Sequence, residues 1–299
     1  MNSVEKEVSI DTIYNEIRML RAESGKSFLL VEGSSDARVL KRFTSEPDCS
    51  VVVCLGKDRL FGAISKLESS LVDGVLAFAD RDFSDLIGYP EYHGNVVFTD
   101  ENDLEAQILS SQVLINILNE FGSMGKVASV MGDPCVDPHE TIAAWAAPTG
   151  ALRLASTVNS WGLYFSEMAY KFVAPNSPEI CPDKTSKHVL SRSSKASSPT
   201  EAQAKKAITE NLERYSSWVL SNGHDCVAVL SKSLRNRLGS TNEFNSKEGN
   251  ETLAKILRLS YAIDMFRATH SYAHIRFWEK ATGFIVLQDT RSMRDAEAA

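Results

Sequence analysis

Apolar residues at Ile10, Ile13, Ile17 and Leu20 recur every three or four positions, which predicts an amphipathic helix over residues 9–23. From residue 28 the pattern changes. Four short runs are continuously apolar rather than alternating: FLLV (28–31), VVVCL (51–55), VLAFA (75–79) and VVF (96–98). Runs of strand length with no polar alternation belong to strands buried on both faces. The first three are separated by segments 35–45 and 57–70, in which Val39, Leu40, Phe43 and then Leu60, Ile64, Leu67 repeat at helical spacing. Strands spaced by helices predict an α/β fold, a parallel sheet of the doubly wound kind with helices on both faces.

Further along, Leu104, Ile108, Ile115 and Leu118 predict one long helix over 103–121, and the Ala-, Leu- and Trp-rich stretch 140–175 reads as helical. The segment DKTSKHVLSRSSKASSPTEAQAKK (183–206) is serine-rich, with six Lys or Arg against two acids. It reads as a solvated loop, with a flexible arm gripping phosphates as the sharper alternative. Segments 207–220 and 250–278 again read as helical. The expected organisation is an N-terminal helix (1–24), an α/β domain (25–125) and an α-rich C-terminal region (126–299).

Composition narrows the class. A chain of 299 residues, 43% hydrophobic and 24% charged, is an ordinary globular one, and its net charge of −7 gives no bulk affinity for a polyanion. The five cysteines form no CxxC pair, which predicts reduced thiols and no zinc site. No apolar run reaches membrane-spanning length, and the first residues lack a signal-peptide core, so a cytoplasmic protein is expected.

The candidate chemistry lies in the acids. In an open parallel sheet the functional crevice is outside the carboxyl ends of the strands. Glu32 follows the first predicted strand, Asp80 and Asp82 of FADRDF follow the third, and Asp100, Glu101, Asp103 and Glu105 of FTDENDLEAQIL follow the fourth. Converging carboxylates repel one another unless a divalent cation neutralises them, and hard oxygen ligands suit Mg²⁺ or Mn²⁺ better than zinc. Each acid also has a structural alternative: Asp103 as a helix N-cap, Asp36 as a favourable charge at the start of its helix.

LLVEGSSDARVL followed by LAFADRDF resembles the Toprim domain of primases, type II topoisomerases and OLD nucleases, with its strand-Glu-Gly-x-x-Asp signature and later Asp-x-Asp. FTDENDLEAQIL and NGHDCVAVLSKSL (222–234) are similar to a further group of bacterial Toprim proteins found beside ABC-type ATPases, among them the Toprim effector of the PARIS anti-phage system. The resemblance implies a Toprim-like sheet over roughly 25–125. It implies Glu32 as metal ligand or general acid/base, Asp80 and Asp82 as a metal-binding pair, and Asp36 as a further acid. Asp103 and Glu105 would complete a second metal site, and Lys57, with Arg81 behind it, would be the cation beside the phosphate.

The activity so implied is Mg²⁺- or Mn²⁺-dependent phosphodiester hydrolysis by an endonuclease, with RNA, foremost transfer RNA, as substrate. A partner ABC-type ATPase would restrain the nuclease until infection, and the free nuclease would be a homodimer. The alternatives are a DNA-directed Toprim nuclease, a non-catalytic interaction module and an Asp-x-Asp phosphatase or glycosyltransferase, although haloacid-dehalogenase-type phosphatases place that motif after the first strand and here it follows the third. Elsewhere, His224, Lys232, Arg235 and Arg237 are candidate nucleic-acid contacts with an ordinary structural reading beside them. His270 and His274 lack the rest of a zinc motif and read as packing or interface residues.

Overall fold

A computed structural model of the chain describes residues 8–88, 95–131, 137–165, 168, 170, 173, 179–194, 198–244 and 246–288. The elements in order are α1 (Ile10–Glu23), β1 (Ser27–Val31), α2 (Ser34–Leu40), β2 (Cys49–Val53), α3 (Lys57–Ser69), β3 (Val75–Ala79), α4 (Ser84–Ile87) and β4 (Val96–Phe98). There follow α5 (Leu104–Leu109), α6 (Gln112–Phe121), α7 (Met124–Met131), α8 (Pro138–Val158), α9 (Pro182–Arg192) and α10 (Glu201–Arg214). The last are α11 (Ser217–Leu220), α12 (Gly223–Asn236), α13 (Lys247–Ser260), α14 (Ile263–Arg267) and α15 (His270–Thr282).

The continuous apolar runs do form a parallel sheet. Its four strands lie in the order β2-β1-β3-β4, every pair parallel, flanked by helices, and the rest of the chain adds further helices. All five residues of β1 and of β3 are buried, so neither strand has a solvent face to alternate toward. Phe28, Leu30, Val75, Ala77 and Ala79 pack in one core with Ile13, Tyr14 and Ile17 of α1 and Leu60, Ile64 and Leu67 of α3. By the two-residue period of a strand, Leu29, Val31, Leu76 and Phe78 face the opposite side. There Phe78 meets Phe266 of α14 edge-on at 6.3 Å, and Phe266 stacks on Phe43 at 5.3 Å.

The chain divides into two compact units. The first takes the described residues of 1–80, 89–100 and 262–299, and the second those of 81–88 and 101–261. The first therefore holds the sheet with α1 to α3, α14 and α15; the second holds α4 to α13.

Three expectations are corrected. The long helix over 103–121 is two helices, because Ser111 ends one run and caps the next, its hydroxyl accepting from the Val113 N–H at 3.3 Å. The 183–206 segment is mainly helical. Pro182 opens α9, Thr200 and Gln203 form a capping box for α10, and Lys205 reaches both acids of the segment, Asp183 and Glu201, at 3.0 Å. The helix expected over 140–175 stops at Val158. Parts of both stretches, like residues 1–7 and Cys135, lie outside the described residues. No helix among the described residues is long and apolar enough to cross a membrane.

Candidate active site

The strand order fixes where to look. From β1 the chain steps to β2 on one side, then returns across β1 to β3 on the other, so the topological switch point lies between β1 and β3. Ligands of doubly wound sheets bind outside the carboxyl ends of the strands at that point. Glu32 is the first residue past β1, and Asp80 the first past β3.

These two are joined. The Glu32 carboxylate accepts the backbone N–H of Asp80 at 3.1 Å. Lys57, first residue of α3, donates its ammonium to the Asp80 carbonyl at 2.8 Å. The turn leaving β2 is tied to the same place: the Gly56 N–H donates to the Glu32 carbonyl at 3.0 Å, with Gly56 at φ +127°. A side chain there would strain the backbone, which is why glycine precedes Lys57. Glu32, Lys57 and Asp80 are all half-buried. Behind them the Cys54 thiol is pushed up to about 12 by burial and by the charge of Glu32, so it stays protonated at neutral pH. The donor set at the switch point is therefore carboxylate oxygen without thiolate, which fits a hard divalent cation. Among the described residues no three His, Cys, Asp or Glu side chains gather into a complete cage. Mg²⁺ does not require one, since one or two carboxylates plus water and substrate phosphate oxygens suffice.

The other predicted acids have partners of their own. Asp36 is buried and turns back on its helix, its carboxylate accepting the Gly33 N–H at 2.8 Å and the Ser35 hydroxyl at 3.3 Å. Asp100, in the same unit, caps α15 by accepting the N–H groups of His270 and Ser271 at 2.7 and 2.8 Å. His270 and His274 are themselves exposed on α15, so neither packs into the core.

The second unit holds Asp82, Asp103 and Glu105. Asp82 adopts φ +47°, a left-handed conformation rare outside glycine, and its N–H donates to the Asn102 carbonyl at 2.8 Å. Arg81 pairs with Asp85 at 2.7 Å. Asp103 caps two helices at once: Oδ1 accepts from Ala106 of α5 and Oδ2 from Gly223 of α12, both at 2.8 Å. Burial, then the charge of Glu105, raises the Asp103 carboxyl to about 6 against the pull of His224 and the two N–H donors. Glu105 is buried in an ion pair with Arg258 at 2.7 Å. Both carboxylates are thus engaged in holding α5, α12 and α13 together.

The Gly-His-Asp motif is structural as well. Gly223 is pressed against α5, His224 is exposed, and the fully buried Asp225 carboxylate accepts from Arg153 of α8 at 2.9 Å and from the Tyr170 hydroxyl. Burial followed by Asp225 drives the Tyr170 hydroxyl and the Cys226 thiol well above their usual range. Burial also weighs against Arg153, but the facing Asp225 leaves its pKa raised overall. Arg153 and Tyr170 were not singled out from the sequence; a lone arginine within the apolar run of α8 was the available signal. Lys232 and Arg235 sit together near the carboxyl end of α12, where burial and then Arg235 lower the Lys232 pKa, and where cations suit the helix dipole.

No protein-family model matches the chain, and a search of curated proteins finds no similar one.

Proposed function

We propose that this chain is a divalent-metal-dependent endonuclease of the Toprim type. The observation that carries the reading is the junction of Glu32 with Asp80 at the β1/β3 switch point, with Lys57 on the Asp80 carbonyl. Two half-buried acids follow neighbouring strands there, and oxygen donors of this kind suit Mg²⁺ or Mn²⁺. When bound, such an ion would supply a water of lowered pKa and neutralise charge on a scissile phosphate. Glu32 and Asp80 are the proposed ligands, and the motif resemblance alone adds Asp82 as a functional acid. Glu32 also serves as proton acceptor or donor, and Lys57 holds the phosphate. Asp36, Asp103 and Glu105 are left out of this proposal, since their carboxylates already cap or pair with neighbouring elements.

The motif resemblance supports RNA, and transfer RNA in particular, as substrate, and a role as the growth-arresting effector of a phage-defence system. It also supports restraint by an ABC-type ATPase, while the scattered cysteines fit a cytoplasmic setting, and control of a toxic enzyme by assembly favours a homodimeric active form. Purified protein incubated with tRNA, single-stranded RNA and plasmid DNA, in Mg²⁺ and in EDTA, tests the reading. Mg²⁺-dependent cleavage of tRNA is expected. Glu32→Ala should lower it by at least about a hundredfold, the lower bound for losing a proton-transfer group, while leaving the circular dichroism spectrum intact. Cleavage undiminished in Glu32→Ala rules the site out, and cleavage of DNA alone redirects the activity to DNA.

A further inference from the structure

Asp82 has a left-handed backbone at φ +47°, a conformation uncommon outside glycine, asparagine and aspartate. Its N–H is held by the carbonyl of Asn102 at 2.8 Å. The Asn102 side chain, only 4% exposed, points at the carboxyl end of α11: its Nδ2 lies 2.9 Å from the carbonyls of Val219 and Ser221 and 3.4 Å from that of Trp218. A helix end leaves its last carbonyls without intrahelical donors, and the two N–H groups of one buried amide serve those of Val219 and Ser221 here. The same end of α11 is also fixed to α8. The Ser221 hydroxyl donates to the Ala143 carbonyl at 2.7 Å, and Gly150 lies so close that a Cβ built on it would stand 1.6 Å from the Leu220 carbonyl oxygen. An unbroken series of contacts therefore runs from α8 through α11 and the Asn102 amide to the Asp82 backbone, wholly inside the second unit.

We infer that Asn102 is a positioning residue for the proposed nuclease: anchored by its amide to the end of α11, it holds Asp82 in the left-handed conformation that presents its carboxylate. The inference rests on the reading of Asp82 as a functional acid. The bond from the Asp82 N–H is not a cap of either adjoining helix, since α5 is capped by Asp103 and α4 begins beyond Asp82.

The test compares Asn102→Ala and the milder Asn102→Ser, which keeps one donor, with the parent protein. Three measurements are made: hydrogen exchange of the peptide covering residues 80–88, Mn²⁺ binding by electron paramagnetic resonance, and steady-state tRNA cleavage. Expected are faster exchange at Asp82, weaker Mn²⁺ binding, and a fall in kcat of up to about a hundredfold, the loss that misplacement by about 1 Å brings. KM for tRNA should stay within about twofold, because the clamp orients an acid rather than gripping RNA. Asn102→Ser should fall between parent and Asn102→Ala. Parent-like exchange and Mn²⁺ affinity in both variants overturn the inference while leaving the nuclease reading standing if Glu32→Ala is inactive. Conversely, faster exchange and weaker Mn²⁺ binding in a protein that cleaves no nucleic acid uphold the clamp and defeat the nuclease.

Discussion

Asp225 shows how one residue decides between neighbouring readings. It lies in the NGHDCVAVLSKSL stretch that resembles Toprim proteins, yet its side chain is fully buried and its oxygens are taken by Arg153 and Tyr170. Removing one partner of a buried ion pair leaves the other charge uncompensated in a poor solvent, at about 3–5 kcal/mol. Asp225→Ala should therefore lower the urea-unfolding free energy by that much. Asp225→Asn, which keeps an acceptor for Arg153 and Tyr170, should lose less. A loss below about 1 kcal/mol in Asp225→Ala would show the pair to be solvated and reopen a chemical role. The contrast with Glu32 is one of surroundings: Glu32 is half-buried at a strand exit and accepts a backbone N–H there, whereas Asp225 is fully buried against Arg153 and Tyr170.

At the level of elements, Gly223 is the informative position. It opens α12, and a Cβ there would meet Asp103 Oδ1 at 2.3 Å, Glu105 Cβ at 2.5 Å and the Ala106 nitrogen at 2.6 Å. Helix propensity alone favours alanine over glycine by about 1 kcal/mol, so the sign of Gly223→Ala is a direct test of this packing. Because backbone atoms stand in the way, a destabilisation of about 1–3 kcal/mol is expected in thermal or urea unfolding. A stabilised variant would mean that α12 does not seat on α5. The strands were legible because β1 and β3 are buried on both faces and so read as unbroken apolar runs; α1 and α3 were legible from their spacing. The break at Ser110–Ser111 was not, since both flanking helices carry the same apolar period and only the local cap of Ser111 separates them. Nor was the helical character of 183–206, where serine content hid the capping box of Thr200 and Gln203. The placing of Glu32 and Asp80 just past neighbouring strands was legible from acids that follow apolar runs, but the bond from the Asp80 backbone N–H to the Glu32 carboxylate was not. The Asn102 clamp did not, because its partners lie more than a hundred residues away and are backbone carbonyls that no side-chain pattern announces.

Over the whole molecule, 39 acids against 32 Lys and Arg leave a net charge of −7, so any cation stabilises the protein somewhat by screening self-repulsion. A specific ion at the switch point must do more. An ion that binds only the folded state adds RT ln(1 + [L]/Kd), about 2.7 kcal/mol at a hundredfold excess over Kd, whereas screening depends on ionic strength alone. Adding MgCl₂ to the parent protein should therefore raise Tm beyond KCl at matched ionic strength. In Glu32→Ala the two salts should act alike, because only the general term remains. Equal effects of Mg²⁺ and K⁺ on the parent would place no divalent ion at Glu32 and Asp80. A Mg²⁺-specific increment surviving in Glu32→Ala would place the ion at other carboxylates. Since this measurement needs no substrate, it separates the site from the choice of nucleic acid.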